Sequence, residues 1–390
     1  MTLPDIAIVG AGITGCSAAY RLAKAGAKVT VIDSYGPAAM ASGWTLAGVR
    51  QSGRDPAELP LAQRAVALWP DLEAELGAPT DYRRNGNLRL ARTPAEVETI
   101  RQLVADQRAL GLDLTFLDDI AAIREIAPAV SGDVLAASFC PTDGHADPVA
   151  SVGAFVAAAE RHGAVFRFGE KVEAVEVAGG RLQGLRTTAG RLPAGLCVLA
   201  PGIGINALLQ PLGLTVPLRI PMVTVIQSVP LPPLLAPVLG VASADCAARQ
   251  QVDGCLRVTS GAEAWHGEIG ETEDGRPKVE PTTASVKRTI DLVGALLPDF
   301  AEARVRRIWA GLLDLTPDAL PVIDFAPGID GLIVAAGFSG HGFGIGPATG
   351  EMICDLALGR QSPLSREAFA FGRAALSAPA AEPAALTLHG

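Results

Sequence analysis

Short unbroken apolar runs occur near both ends of the chain, each followed by a segment of helical spacing, while proline-broken and more polar stretches fill the middle. IAIVG (6–10) is continuously apolar, as a strand buried on both faces should be. ITGCSAAYRLAKAG then carries alanine, leucine and tyrosine at helical spacing, with Gly26 as a stop. VTVID (29–33) is the next buried strand, so a right-handed strand–helix–strand unit is the economical assembly. The same grammar returns late. GLIVAAG reads as a doubly buried strand, and PATGEMICDLALG as a helix starting near Gly346 and Pro347.

Helical spacing is also expected over 57–76, 93–110 and 284–297, and in a helix that Asp147 opens. KVEAVEV and LQGLRTT alternate and predict a half-exposed antiparallel ribbon. Strand-like runs interrupted by prolines dominate 216–307. With 390 residues, two domains are expected. The reading is α/β (α+β overall): a discontinuous nucleotide-binding domain from 1–80, 145–212 and 308–375, a second domain from 81–144 and 213–307, and a loose tail over 376–390.

Charge and cysteine usage narrow the function classes. The net charge of −9 is spread along the chain, which argues against nucleic acid as a partner and offers no basic patch to an anionic membrane. The six cysteines (Cys16, Cys140, Cys197, Cys246, Cys255, Cys354) form no CxxC and no Cys/His cluster. No metal site is expected, and buried thiols in a reducing compartment fit better. The start, MTLPDIAIVGAG, lacks a basic n-region, and the apolar stretch from Ile220 is broken by prolines. No spanning helix is expected, and the cytosol is the expected compartment.

Gly10-Ala11-Gly12-Ile13-Thr14-Gly15 is G-x-G-x-x-G between strand and helix. Gly10 suits the tight turn, Gly12 the approach of a pyrophosphate, and Gly15 close helix–strand packing. Asp33 ends the second strand where a carboxylate would receive ribose hydroxyls, and an acid there argues against NADP. After Asp33 comes SYGPAAMASGWTLAGVRQSGR, small-residue backbone that suits FAD better than NAD. GFSGHGF (337–343) is either a plain turn or a place where main chain lies against a flat ligand.

GAGITG with VID, ASGWTLAG, LCVLAPG, and TPDALPVID followed by GFSGHGFGIGPATGE together resemble the D-amino acid oxidase-like flavoprotein superfamily. Within it the chain looks most like the sarcosine oxidase β-subunit and D-hydroxyproline dehydrogenase branch. The resemblance implies a glutathione-reductase-type FAD-binding Rossmann domain beside a substrate domain on a mixed or antiparallel sheet. It implies FAD contacts for Gly10, Gly12, Gly15, Asp33, Ser42, Ala47, Gly48, Val172, Ala200 and Gly202, and for Gly340, His341, Gly342 and Phe343. Gly311 stands where monomeric sarcosine oxidases carry a flavin-linking cysteine, so non-covalent FAD is expected. Gly344 stands where relatives have a lysine directly after GHGF, which favours a dehydrogenase over an oxygen-using oxidase.

The implied reaction oxidises the Cα–H beside the amine of a small amino or imino acid, with hetero-oligomeric electron-transfer subunits as expected partners. Two alternatives stay open: a self-contained oxidase making hydrogen peroxide, and a flavin-binding scaffold subunit. Such a site calls for a cation on the substrate carboxylate. Arg50, two residues beyond Gly48, is the first candidate, with an inter-domain salt bridge as its alternative. His341 either hydrogen-bonds ligand or packs beneath it. Arg219 and Arg249 lie in the second domain without a spacing that assigns them, and His145 reads as a turn or cap residue. Trp44 and Trp309 read as site walls or core. LPPLLAPVL reads as a partner patch or as buried packing.

Overall fold

In the computed structural model, residues 5–377 are described; residues 378–390 of the expected tail lie outside them. Leu376 and Ser377 instead close a short 3₁₀ turn, Ala374–Ser377, with Leu376 buried.

Six strands gathered from the start, middle and end of the chain make the first sheet. Their order is Val322–Phe325, Leu332–Ala336, Leu196–Leu199, Ile6–Val9, Val29–Asp33, Val165–Phe168. All neighbours pair in parallel except Val322–Phe325, which runs antiparallel to Leu332–Ala336. Alternate residues serve opposite layers. Ile6 and Ile8 pack with the helices, whereas Ala7 and Val9 pack toward an antiparallel ribbon of Val172–Ala178, Arg181–Thr187 and Gly190–Pro193. That double burial is why IAIVG and GLIVAAG are apolar without alternation.

The second sheet has eight strands, in the order Val305–Leu312, Met222–Pro230, Cys255–Ser260, Cys246–Gln250, Val238–Val241, Asn87–Ala91, Ala136–Cys140, Thr115–Leu117. It is mixed: Val238–Val241 and Asn87–Ala91 are parallel and the other pairs antiparallel. Val305–Leu312 belongs here, so residues 308–312 stand in the second sheet and not in the first. Its ladder to Met222–Pro230, from Met222↔Leu312 to Ser228↔Val305, decides this. The apolar run 231–239 is not an open patch. Leu235, Val238 and Leu239 are buried, and Leu231 and Leu234 pack against the core of this sheet.

One crossing of helices joins the two chain ends. The helix Gly342–Ala357 begins at His341 as N-cap, four residues earlier than its sequence suggests, and Pro347 lies inside it. Pro347 has no N–H for the Phe343 carbonyl, but tertiary contacts hold the early turn. Trp69 Nε1 donates to the Gly344 carbonyl at 2.8 Å, and Ser17 Oγ donates to the Gly346 carbonyl at 2.8 Å. A Cβ on Gly346 would lie 2.5 Å from Ile13 Cγ1, and one on Gly350 2.5 Å from Ser17 Oγ. These glycines, four apart, let the last helix lie directly on the first, Ile13–Lys24. Both helix N-termini therefore start from turns beside the same cavity.

Candidate active site

The first turn runs from Val9 through Gly10, Ala11 and Gly12 into Ile13–Lys24. Gly10 sits at φ +106°, and a Cβ there would lie 2.3 Å from the Ala200 carbonyl oxygen. Only glycine fits that place. Gly12 is the N-cap without a side-chain capping bond, and Ser42 Oγ accepts from the Ile13 N–H at 3.0 Å. This helix start could hold a pyrophosphate on its N–H groups and dipole. Asp33 accepts the Ala11 N–H on Oδ2 at 2.8 Å, and the Tyr35 and Gly36 N–H groups on Oδ1 at 2.8 and 2.9 Å. Its carboxylate is thus fixed by backbone, at the place where ribose hydroxyls would reach it.

The second turn, 337–341, leaves Leu332–Ala336 and enters Gly342–Ala357. Asp314 supports it from below, accepting the Gly337 N–H on Oδ2 at 2.9 Å. Burial pushes the Asp314 pKa up to about 6, against the pull of the backbone N–H groups around it. Both turns line one cavity of about 370 Å³. Gly10, Gly12 and Asp33 belong to its wall, as do Gly311, Gly340 and Phe343.

Arg50, Arg54 and Arg89 also line this cavity. Arg54 and Arg89 are buried, while Arg50 is half-buried and donates from Nη1 to the Ser52 carbonyl at 2.8 Å. Burial, then the positive charges of Arg54 and Arg89, lower the Arg50 pKa, with Asp143 and Glu58 opposing. Burial, with Arg54 adding, likewise lowers the Arg89 pKa to about 10. Three guanidiniums that repel one another at a cavity wall favour an incoming anion.

Behind them lies a buried pair. Glu58 Oε2 is 2.9 Å from His341 Nδ1 and 3.7 Å from Arg54 Nη1. Burial alone would raise the Glu58 pKa, but the charges of His341 and Arg54 outweigh it and carry it to about 2. Burial, with Arg54 adding, lowers the His341 pKa to about 4 despite Glu58. The imidazole and the carboxylate compete for one proton. Arg54 secures the carboxylate, so Glu58 is ionised and His341 neutral at pH 7, donating from Nδ1.

Of the residues read from the sequence as cofactor contacts, together with Arg50, twelve line the cavity: Gly10, Gly12, Asp33, Ser42, Gly48, Arg50, Ala200, Gly202, Gly311, Gly340, Gly342 and Phe343. Five others do not. Gly15 packs against the Gly10 carbonyl, where a Cβ would lie 2.0 Å away. Ala47 is wholly buried at φ +61°. Val172 joins the apolar layer under the ribbon. His341 is held back on Glu58. Gly344 meets the Gly48 carbonyl, 2.7 Å from where a Cβ would stand.

Trp44 is a wall residue, whereas Trp309 packs behind it in the same apolar cluster. Asp147, not His145, caps its helix, accepting the Val149 and Ala150 N–H groups. Arg54, Arg89 and Asp314 escaped the sequence reading because nothing in their spacing points to a shared cavity.

Comparison with known proteins agrees with this geometry. The family described as DAO, FAD dependent oxidoreductase, matches residues 5–356. A D-amino acid dehydrogenase of Allorhizobium ampelinum is 27% identical over 94% of this chain and 98% of its own length. The sarcosine oxidase subunit beta of an Arthrobacter species is 28% identical over 94% and 91%. The solved structure of L-proline dehydrogenase from P. horikoshii superposes with a TM-score of 0.86 at 26% identity, covering 95% of this chain and 97% of the other. With its parallel sheet, uncapped glycine turn and matching second turn, the chain belongs to the family of FAD-dependent oxidoreductases.

Proposed function

We propose that the protein oxidises the Cα–H beside the amine of a small amino or imino acid, as a dehydrogenase, with Arg50 binding the substrate carboxylate. The observation that carries this is the group of Arg50, Arg54 and Arg89 on the wall shared by both glycine turns. Bound FAD supplies the acceptor for the hydride. In this reading Gly10, Gly12 and the N–H groups that follow hold the pyrophosphate, and Asp33 the adenosine ribose. The 337–343 turn and the Gly48 backbone would lie against the ring. Arg50 fixes the carboxylate so that the Cα–H faces the ring, which is chiefly a matter of orientation. Val223, Val225 and Leu312 line the same cavity and would offer an apolar surface to the uncharged part of the substrate.

Gly344 supports a dehydrogenase, since it stands where the resembling family carries a lysine implicated in substrate or oxygen handling. The likeness to a sarcosine oxidase subunit beta supports work beside electron-transfer subunits. The test is anaerobic mixing with a panel of D-amino acids, D-hydroxyproline, L-proline, sarcosine and opine-type amines. One or more should bleach the visible flavin band, and air should reoxidise it slowly compared with an artificial acceptor. No bleaching with any of them would sink the proposal; rapid peroxide formation in air would replace the dehydrogenase with an oxidase.

A further inference from the structure

We infer that Trp309, Arg257 and Arg249 are positioning residues that clamp the cavity loop 44–48 to the substrate-side sheet, an inference that rests on the function proposed above. Three consecutive carbonyls of this loop are each taken by a different side chain. Trp309 Nε1 donates to the Trp44 carbonyl at 3.2 Å, Arg257 Nη1 to the Thr45 carbonyl at 2.7 Å, and Arg249 Nε to the Leu46 carbonyl. The donors stand on three strands of the second sheet: Val305–Leu312, Cys255–Ser260 and Cys246–Gln250. All three side chains are buried, at 7%, 7% and 1% exposure. Contacts across separations of 203, 212 and 265 residues cannot come from local chain geometry.

The clamp extends one step further. Arg249 Nη1 lies 3.0 Å from His145 Nδ1, and the His145 backbone pairs with Gly48. Burial and then the charges of Arg249 and Arg83 lower the His145 pKa to about 3. The ring is therefore neutral and accepts from Arg249. The Arg257 guanidinium stands 5.2 Å from the Trp309 ring centre, so the donors also brace one another.

These are expensive residues to bury. Among the described residues, Arg249 Nη2 and Arg257 Nε meet no hydrogen-bond partner, and burial lowers both guanidinium pKa values, to about 9 and about 10. An apolar side chain could fill the space at less cost, but it could not hold a carbonyl. The restraint reaches the cavity directly. A trans peptide sets its C=O and N–H on opposite sides, so holding the Thr45 carbonyl on Arg257 turns the Leu46 N–H away from the sheet. Trp44, Thr45, Leu46, Gly48 and Arg50 all line the cavity, and Ala47 between them is kept at φ +61°. The substrate-side sheet thereby sets where the ring-facing backbone and Arg50 stand.

The test uses the FAD-loaded full chain and the variants W309F, R257M and R257K. W309F deletes a single donor and keeps the packing. We expect W309F and R257M to retain FAD, because the 10–15 turn is untouched, but to show an altered visible circular dichroism band of the flavin. Flavin reduction at saturating substrate should slow by about tenfold or more, the scale of a sub-ångström misplacement, with partial recovery in R257K through one donated bond. An unchanged dichroism band and an unchanged reduction rate in W309F and R257M would overturn the clamp. So would an R257K no better than R257M. If R257M does not fold, W309F decides. The dichroism needs no substrate, so it judges the clamp even if no amine bleaches the wild-type flavin, which would overturn the proposed function alone.

Discussion

At the scale of single residues, two side chains of the cavity wall make opposite demands. Arg50 is charged among like charges, and an anion relieves that repulsion. An R50A substitution should lower kcat/KM by about 10²- to 10³-fold, the loss of a charge-assisted contact, while FAD remains bound. R50K should recover part of it, because the ammonium keeps the charge without the bidentate fork. Steady-state kinetics with retained flavin absorbance check this. Asp314 is a buried acid whose pKa the fold raises to about 6. Its protonated form is favoured by folding, so its contribution to stability is full below about pH 4 and is lost as pH rises through 6. D314N should therefore stabilise the protein relative to wild type at pH 8 but not at pH 4. The gain is at most about 3 kcal/mol, from roughly two pKa units at 1.36 kcal/mol each. Urea unfolding at the two pH values measures it, and an equal effect at both would contradict the assignment.

Helix crossing is the decisive event at the scale of elements. Gly346 and Gly350 bring Gly342–Ala357 onto Ile13–Lys24 with no room for a methyl group. Ile13 is β-branched and stiff, so it cannot swing clear of a new Cβ. At Gly350 the obstacle includes Ser17 backbone, with its carbonyl carbon 2.8 Å from the new Cβ. G346A and G350A should each cost roughly 2–3 kcal/mol by overpacking, G350A the more, and both should weaken FAD retention by parting the two turns. Thermal melts and flavin release during gel filtration read the two effects separately. G163A, at a position with nothing within 4 Å but a φ of +90°, serves as the control: a melt lowered with FAD retention unchanged.

For the whole molecule, the cavity exists because stretches within 10–54, 87–89, 200–203, 223–262 and 311–343 meet between two sheets. Among the described residues, the cavity lining includes one cysteine. Cys246 lines the cavity from the second sheet, and burial first, then the charge of Asp245, pushes its thiol pKa up, away from the reactive thiolate. Acid precipitation should therefore leave a colourless pellet and release all flavin to the supernatant. A yellow pellet would contradict this. Among the described residues no helix is long and apolar enough to cross a membrane.

Local rules were enough for the parts whose chemistry is carried by neighbours in sequence. IAIVG, the G-x-G-x-x-G turn and Asp33 lie within 28 residues, so the alternation of layers and the N-terminal cradle follow from spacing and backbone sterics. The β-ribbon and the Asp147 cap were legible for the same reason. What depended on distant partners was not. Pro347 reads as a helix start, yet Trp69 and Ser17 hold the turn before it in helix. Residues 308–312 read as part of the first domain, yet a ladder to Met222–Pro230 claims them. His341 reads as either a ligand contact or packing beneath the ligand, and the partner its Nδ1 takes, Glu58, stands 283 positions away. By itself the sequence determined that this chain folds a dinucleotide-type cradle near its start and carries a second glycine turn between a strand and a helix near its end, because short-range geometry admits few alternatives. Only the tertiary structure decided which charges meet at the cavity and what holds its loop, because burial and long-range hydrogen bonds act between residues that sequence spacing does not connect.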